Sequence, residues 1–329
     1  MEGVREVVMD IPVMHFFDNR YVIPAAVSFY SMLENASKEH NYILYVGHND
    51  ITLENQAKLQ SVVRLFQNAK IEFINMAGKF SELFAQTKSK GHYTKEMYYK
   101  FLVPSLVPQH DKVIVTDVDV VFLDDISKDY INFNVNEQYY FGGVKCLLRK
   151  GCSLDEWRKV YEKEFSLQER SFLGFAGGYY IFNCIKMRKD SMERRFIEFA
   201  INNAQRLIQP EQDTISICCK TMKKDLHPRA LVCTYSYDMY KSESDYQKDI
   251  LYDADTVKYS LDNPIQLHYA TSRKPWNSVC QKQEIWFSYL IKTGLFSEFI
   301  KKLMPENRKI IFKISAFNRL FTLTKEHSI

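Results

Sequence analysis

The sequence predicts an α/β fold in which a mostly parallel sheet is flanked by helices. Short apolar segments with strand character alternate with amphipathic helical segments along the first half of the chain. The length of 329 residues suffices for one large α/β domain followed by a C-terminal extension. No G-x-G-x-x-G motif follows the first predicted strand, so a classical dinucleotide-binding site is not expected.

The elements of the first half follow one another in a regular order. A first helix is predicted from Pro24 to Leu33, because proline suits the first turn of a helix. A second helix follows Thr52, a preferred N-cap residue. A third helix begins near residue 94 and is expected to end near Pro104. Apolar runs predict strands at residues 13–17, 42–46, 70–74 and 113–116.

The middle of the chain carries weaker signals. Two glycine pairs, Gly142-Gly143 and Gly177-Gly178, indicate β-bulges or positions where the backbone approaches another group closely. Residues 145–172 are charged and show no clear period. This segment is interpreted either as a flexible insertion on the acceptor side or as a solvated loop.

The most informative motif is Asp117-Val118-Asp119, directly after the predicted strand 113–116. Residues i and i+2 of a strand point to the same face, so both carboxylates can face one position. Two carboxylates at the carboxyl end of a strand can hold a divalent cation, where open α/β sheets bind ligands. On its own the triplet is a weak signal, because a solvated strand end often carries the same pattern.

A second group lies about 150 residues later, at His268 and at Lys274-Pro275-Trp276. An imidazole added to two carboxylates suits Mn²⁺, and a lysine supplies a compact positive charge for a diphosphate. A lone histidine in an aromatic context is often a packed surface residue. The combination of both groups predicts a metal site formed by Asp117, Asp119 and His268.

Several sequence blocks resemble, in order, the retaining, metal-dependent glycosyltransferases of family 8. This family includes glycogenin and the bacterial lipooligosaccharide and lipopolysaccharide α-galactosyl- and α-glucosyltransferases. The resemblance extends from Val13 to Trp276 and implies a single GT-A type nucleotide-sugar-binding domain at residues 1–294. The blocks are residues 17–21 with 27–35, 98–104, 117–119, 175–178, 211–213 and 268–276.

The resemblance also implies functions for individual residues. Asp18 matches a residue that contacts uracil, and Asp117 matches one that reaches both the metal and the ribose. Gln212 matches the residue nearest the anomeric centre, and Glu211, Asp213 and Lys100 are the other catalytic candidates. For Asp213 the alternative is a carboxylate favoured by the dipole at a helix start. The donor-binding candidates are Phe17, Asp18, Tyr21, Lys100, Asp117, Val118, Asp119, Ala176, Gly177, Thr271 and Lys274.

The chain departs from the family pattern at four positions. Lys100 stands where the family usually has arginine, which keeps the charge and loses the bidentate fork. Ala176 replaces a common asparagine, Glu211 a common aspartate, and Thr271 a glycine beside the phosphates. These departures affect donor choice, rate and the geometry of the phosphate loop, and leave the metal ligands unchanged.

The expected activity is transfer of an α-hexose, galactose or glucose, from a UDP-sugar to a glycan acceptor, with Mn²⁺ or alternatively Mg²⁺ as cofactor. A lipopolysaccharide or lipooligosaccharide core, or a related surface glycan or glycolipid, is the expected acceptor. One alternative is a glycogenin-like initiator that glucosylates itself. Another is a non-catalytic UDP-sugar-binding protein. A glycosidase is disfavoured, because hydrolases need two carboxylates that flank the scissile bond.

Composition and charge indicate where the protein acts. The net charge of +4 is modest and gives no reason to expect nucleic acid as a partner. Seven cysteines without C-x₂-C spacing, and a start unlike a signal peptide, favour a cytoplasmic location. Residues 295–329 alternate large apolar residues with lysines and arginines. This pattern is typical of a segment that docks peripherally on an anionic membrane surface, here the inner face, or of a helix that packs on the domain.

Overall fold

The computed structural model describes residues 8–78, 95–151 and 154–303. Ten strands in these residues form two sheets, of which the larger has seven strands in the order β3-β2-β1-β4-β7-β6-β8. The strands are β1 Asp10–Phe16, β2 Asn41–His48, β3 Ala69–Asn75, β4 Lys112–Thr116, β5 Val120–Phe122, β6 Phe141–Lys145, β7 Phe175–Asn183, β8 Lys223–Asp225, β9 Val232–Cys233 and β10 Gln266–His268.

The large sheet is mostly parallel, as the sequence predicts. β1 pairs in parallel with β2 and β4, so that Val13 lies between Leu44 and Ile114. β7 is antiparallel to both β4 and β6. A register shift between Gly143 and Lys145 confirms the bulge expected at the first glycine pair. The four strands predicted from apolar runs are all present, within three residues of the expected bounds.

Helices cover both faces of this sheet. They are α1 Val22–Asn35, α2 Leu53–Val63, α3 Val103–Leu106, α4 Ser127–Asn132, α5 Leu154–Glu164, α6 Leu167–Phe172, α7 Cys184–Lys189, α8 Met192–Asn203, α9 Pro210–Cys219, α10 Ser236–Met239, α11 Glu243–Tyr246, α12 Ala254–Asp262, α13 Gln283–Lys292 and α14 Phe296–Leu303.

Successive residues of β1 pack into different layers, because neighbouring side chains of a strand point to opposite faces. Val13 joins a core cluster with Phe29 of α1 and Val62 of α2. Met14 joins a second cluster with Phe196 of α8 and Ile215 of α9. The central strands are therefore apolar on both faces, as expected for strands covered on both sides.

The region near residue 100 differs from the predicted helix. Lys95–Leu102 forms a 3₁₀ helix, and α3 follows it immediately. Pro104 lies in the first turn of α3, so it helps to begin that helix and does not end the preceding one. Proline is tolerated there because the first backbone N–H groups of a helix need no intrahelical acceptor.

The charged segment 145–172 is largely helical, so its interpretation as a loop is wrong. It contains α5 and α6, and α6 begins with a capping box. The Ser166 hydroxyl accepts a hydrogen bond from the Glu169 N–H, and the Glu169 carboxylate accepts one from the Ser166 N–H. Both helices are short and rich in charge, which explains why no apolar period is visible.

The smaller sheet has the strand order β5-β10-β9 and joins distant parts of the chain. β10 runs antiparallel to β5, with His268 opposite Val120, and parallel to β9, with His268 opposite Cys233. Since β5 begins one residue after Asp119, this pairing carries His268 to the end of β4.

The beginning of the basic segment, α14, packs on the domain. Phe299 is buried, with its ring 5.5 Å from that of Trp286. Glu298 forms an ion pair of 3.0 Å with Lys58 of α2. The rest of the predicted segment 295–329, beyond Leu303, lies outside the described residues. Among the described helices, none has the length and apolarity that crossing a membrane would require.

Candidate active site

The turn between β4 and β5 and the strand β10 bring Asp117, Asp119 and His268 together. One ligand atom from each residue lies within 4.8 Å of the others. The His268 Nε2 lies 3.3 Å from Asp119 Oδ1 and 3.7 Å from Asp117 Oδ2. Two carboxylates and one imidazole form a donor set that a borderline-hard divalent cation accepts. The residues predicted as metal ligands thus fit such a cation in type and in spacing.

Lys274 neutralises part of the negative charge at this position. Its ammonium donates hydrogen bonds to Asp119 Oδ2 and to the backbone carbonyl of Tyr269. Burial would raise the pKa of Asp119, but Lys274 and His268 outweigh it and hold that pKa well below its usual range. Burial would likewise lower the pKa of His268, but Asp119 outweighs it and raises that pKa.

Lys100 contacts the same site through Asp117. Its side chain is buried, and its ammonium donates to Asp117 Oδ1 and to the Gly177 carbonyl, each at 2.8 Å. Glu211 Oε1 lies 3.6 Å away, at an ion-pair distance too long for a hydrogen bond. Burial would lower the pKa of Lys100, but Asp117 and Glu211 outweigh it and raise that pKa, so Lys100 stays charged.

The first turn of α9 supplies the other catalytic candidates. Glu211 is buried, and this burial raises its pKa to about 7 despite the nearby Lys100. Gln212 is half-buried beside Gly177. The Asp213 carboxylate accepts hydrogen bonds from the backbone N–H groups of Ile208 and Gln209, at 2.9 and 2.8 Å. These bonds fix the start of α9, which is the structural alternative expected for Asp213.

Both glycines of the second pair make close backbone approaches, as predicted. A Cβ atom on Gly178 would lie 2.7 Å from His268 Nδ1, and one on Gly177 would lie 2.8 Å from Glu211 Oε2. Neither position has room for a side chain. The backbone of β7 therefore passes close to both His268 and Glu211.

Comparison with known proteins identifies the family of this chain. The sequence profile described as "Glycosyl transferase family 8" matches residues 12–280. The chain belongs to glycosyltransferase family 8. This confirms the predicted resemblance and identifies the protein as a transferase. Membership implies a nucleotide-sugar donor and a glycan acceptor.

Two curated relatives are similar to this chain over most of its length. General stress protein A of Bacillus subtilis is 24% identical over 265 residues, which cover 79% of this chain and 85% of the relative. Glycosyltransferase GlyF of Streptococcus pneumoniae is 25% identical over 275 residues, which cover 83% of this chain and 59% of GlyF.

Solved structures confirm the fold. The bifunctional glycosyltransferase WbbM superposes with a TM-score of 0.70 at 16% identity, over 92% of this chain and 52% of WbbM. This chain therefore spans about half of the WbbM chain. The galactosyltransferase LgtC, in complex with donor and acceptor sugar analogues, superposes with a TM-score of 0.64 at 18% identity, over 86% of this chain and 96% of LgtC.

Three residues that the family resemblance predicts at the nucleotide, Phe17, Asp18 and Tyr21, follow directly after β1. Asp18 caps the 3₁₀ helix Asn19–Tyr21 by accepting from the Arg20 N–H at 2.8 Å, and its carboxylate also pairs with the Arg20 side chain. Burial raises the pKa of Tyr21, and the nearby negative charge of Asp119 raises it further. The Phe17 side chain is part of the core, so only its backbone can face a ligand.

The remaining donor-binding candidates differ in exposure. Val118 and Ala176 are buried in the main core cluster, whereas Thr271 is half-buried in the loop that leads to Lys274. Thr271 lines a cavity of about 250 Å³ together with Tyr235 and other residues. The cavity lining comprises Thr234, Tyr235, Asp238, Thr271, Arg273, Val279, Cys280 and Gln281.

Sequence reasoning missed three buried polar residues around the site. The Thr116 hydroxyl and the Gln266 amide both donate to the Gly178 carbonyl, at 2.8 and 3.1 Å. They fix β7 between β4 and β10. His15 is fully buried in β1, and burial lowers its pKa to about 3, so it stays neutral. The available signal was a single polar residue inside an apolar strand, as at Gln266 and His15.

Proposed function

We propose that this family 8 protein is a metal-dependent, retaining hexosyltransferase that uses a UDP-sugar, with Asp117, Asp119 and His268 as metal ligands. The observation that carries the proposal is the convergence of these three side chains with Lys100 and Lys274 on the same two carboxylates. A divalent cation bound there would act as a Lewis acid on the diphosphate leaving group. Mn²⁺ suits the mixed oxygen and nitrogen ligands, with Mg²⁺ as the alternative.

Lys100 and Lys274 differ in how many of their N–H donors remain free, and we propose different roles for them. A lysine ammonium has three N–H donors. Those of Lys100 face Asp117, Gly177 and Glu211, so this lysine positions Asp117 and compensates buried charge. Lys274 has two described partners, Asp119 and the Tyr269 carbonyl, which leaves one donor for a phosphate oxygen.

Gln212 is proposed to face the sugar. It packs directly against Gly177, where an added Cβ atom would lie 2.9 Å from the Gln212 Cγ. An amide is a poor nucleophile and is compatible with a front-face attack in which configuration is retained. Buried Glu211 supports the same position by keeping Lys100 in place.

The donor is proposed to be UDP-galactose or UDP-glucose, and the similarity to the galactosyltransferase LgtC supports galactose as the first to test. The cavity beside Thr271 is the proposed acceptor side, because Tyr235 and Asp238 offer an aromatic ring and a carboxylate to a sugar. A lipopolysaccharide or lipooligosaccharide core, or a related surface glycan, is the proposed acceptor.

A cytoplasmic enzyme peripherally bound to the inner membrane face would meet a lipid-linked acceptor there. The sequence beyond Leu303 supports this proposal, because it interleaves large apolar residues with Arg308, Lys309, Lys313 and Arg319. The structure restricts the proposal to that part of the segment, since the apolar side of α14 already packs on the domain.

The decisive experiment measures UDP release from UDP-galactose and UDP-glucose. We expect release with Mn²⁺, loss of release on chelation with EDTA, and recovery when Mn²⁺ is restored. Asp119→Asn should behave like the chelated enzyme. Asp262→Asn, at an exposed aspartate on α12, is the matched control and should retain release.

Three results would contradict the proposal. Full release after exhaustive chelation would exclude the metal site as the catalytic centre. Binding of UDP-sugar without any release, with or without acceptor, would favour the non-catalytic binding protein. Hexose additions to the purified protein itself would instead favour the self-glucosylating alternative.

A further inference from the structure

Two cysteines that are distant in sequence lie side by side next to the metal ligands. The Sγ atoms of Cys146 and Cys233 are 3.8 Å apart, so either thiol can donate a hydrogen bond to the other. Cys146 directly follows β6, and Cys233 ends β9. Cys146 is half-buried, whereas Cys233 is buried. The sequence gives no indication of this pair, because 87 residues separate its members.

The pair is connected directly to the strand that carries a proposed metal ligand. Cys233 lies opposite His268 in the parallel pairing of β9 and β10, and the backbone N–H of Thr234 donates to the His268 carbonyl at 2.9 Å. The Tyr235 side chain lies near the two thiols and also lines the cavity beside Thr271. The thiols therefore lie between that cavity and β10.

We propose that Cys146 and Cys233 form a reversible disulfide when the protein meets hydrogen peroxide. The more exposed thiol, Cys146, attacks the peroxide and becomes a sulfenic acid, and one water leaves. The Cys233 thiol then displaces the hydroxyl group of that sulfenic acid as a second water, and the S–S bond forms. Two thiols are oxidised, and one peroxide is reduced to two waters.

Disulfide formation requires a movement that affects the site. An S–S bond is about 2.0 Å long, so the two sulfur atoms must approach each other by about 2 Å. β9 is short and hydrogen-bonded to β10, so a displacement of Cys233 is transmitted to His268. A metal site tolerates displacement of a ligand poorly, so oxidation weakens cation binding. This consequence rests on the proposed metal site, whereas formation of the disulfide does not.

The experiment treats the full chain with hydrogen peroxide and then maps its cysteines by peptide mass spectrometry. The expected product is a Cys146–Cys233 crosslink that dithiothreitol reverses. Calorimetry with Mn²⁺ should show binding at least about 10-fold weaker after oxidation, with recovery on reduction. In Cys146→Ser and Cys233→Ser, peroxide should leave the Mn²⁺ affinity unchanged. The half-buried thiol of Cys218 provides the matched control, and Cys218→Ser should respond like the wild-type protein.

Each outcome separates this proposal from the proposed function. Absence of the crosslink, or oxidation of Cys146 to sulfinic acid alone, overturns the proposal whatever the activity of the enzyme. A crosslink with unchanged Mn²⁺ affinity overturns the proposed effect of the disulfide on cation binding and leaves the transferase function intact. A crosslink in a protein that never binds Mn²⁺ supports the modification site and counts against the metal-dependent function.

Discussion

At the scale of single residues, the site consists of five ionisable side chains in contact with one another: two carboxylates, two lysines and one histidine. Lys100 and Lys274 contact different carboxylates, Asp117 and Asp119, and His268 lies between those two. The buried Lys100 and the half-buried Lys274, next to two carboxylates, lower the electrostatic cost of bringing a diphosphate to the site. The difference in free hydrogen-bond donors between the two lysines leads to different expectations for their substitution.

Lys274→Met should reduce kcat for UDP release more than it weakens donor binding. Methionine keeps the length of the side chain and removes the charge that would stabilise the leaving diphosphate. Loss of one such contact typically lowers the rate by about 10²–10³-fold. Steady-state kinetics with saturating Mn²⁺ measures this, and Lys258→Met at an exposed position of α12 is the control. An unchanged kcat would show that Lys274 is structural.

Glu211 should make the stability of the protein depend on pH. Its folded-state pKa of about 7 is raised above the usual 4.5, so the folded protein binds this proton more tightly than the unfolded chain. The resulting stabilisation is fully present below about pH 4.5 and is lost as pH rises through about 7. The loss is on the order of 3 kcal/mol.

Urea unfolding at pH 5 and pH 8 in the presence of EDTA tests this expectation. Glu211→Gln should lose less stability between the two pH values than the wild-type protein. Glu54→Gln, at an exposed position on α2, should follow the wild type. If Glu211→Gln and the wild type lose stability equally, the buried carboxylate does not titrate in this range.

At the scale of elements, β7 determines how closely the other parts of the site can approach. It is buried along its whole length, and Thr116 of β4 and Gln266 of β10 both donate to the carbonyl of Gly178. This arrangement holds β10, and with it His268, against the end of β4. The absence of a side chain at Gly178 is what makes the close approach possible.

Gly178→Ala should displace His268 and weaken Mn²⁺ binding by about 10-fold or more. The added Cβ would lie 2.7 Å from His268 Nδ1 and 3.0 Å from Leu231 Cδ1, so the ring must move. The matched control is Gly142→Ala, whose Cβ would lie 3.1 Å from Phe133 Cδ2, away from the site. Overpacking should lower the melting temperature of both variants. Calorimetry that finds equal Mn²⁺ affinity in both variants would refute the role of Gly178.

At the scale of the whole molecule, the transferase domain and the basic segment overlap at α14. Phe299 is buried, and Glu298 pairs with Lys58, so this helix belongs to the packed domain. The residues beyond Leu303 lie outside the described part of the chain. Any membrane docking is therefore expected to depend on residues 304–329.

Truncation after Leu303 should abolish binding to anionic vesicles and preserve UDP release. Basic residues contribute roughly 1 kcal/mol each near an anionic surface, and salt screens this attraction. Binding by the full chain should therefore weaken in high salt, although apolar insertion keeps part of it. Truncation before Leu295 should also lower stability, because it removes the buried Phe299. Co-sedimentation that is equal for neutral and anionic vesicles, or unchanged by truncation, would exclude docking.

The sequence by itself determined the class of fold and predicted the candidate metal ligands. Alternating apolar runs predicted the first four parallel strands, because burial on both faces leaves a strong local pattern. The triplet Asp117-Val118-Asp119 indicated paired carboxylates from strand geometry alone. His268 and Lys274 followed from the types of residue that bind cations and phosphates. Each of these signals lies within a few consecutive residues.

Only the tertiary structure decided how distant residues combine. The different roles proposed for Lys100 and Lys274 depend on how many hydrogen-bond acceptors surround each ammonium group. Those acceptors come from separate elements of the fold. The helices of segment 145–172 and the 3₁₀ helix before α3 are too short or too charged to show a clear period. The Cys146–Cys233 pair exists because β6 and β9 end side by side. Proximity between residues far apart in the chain is created by packing, and no local pattern encodes it.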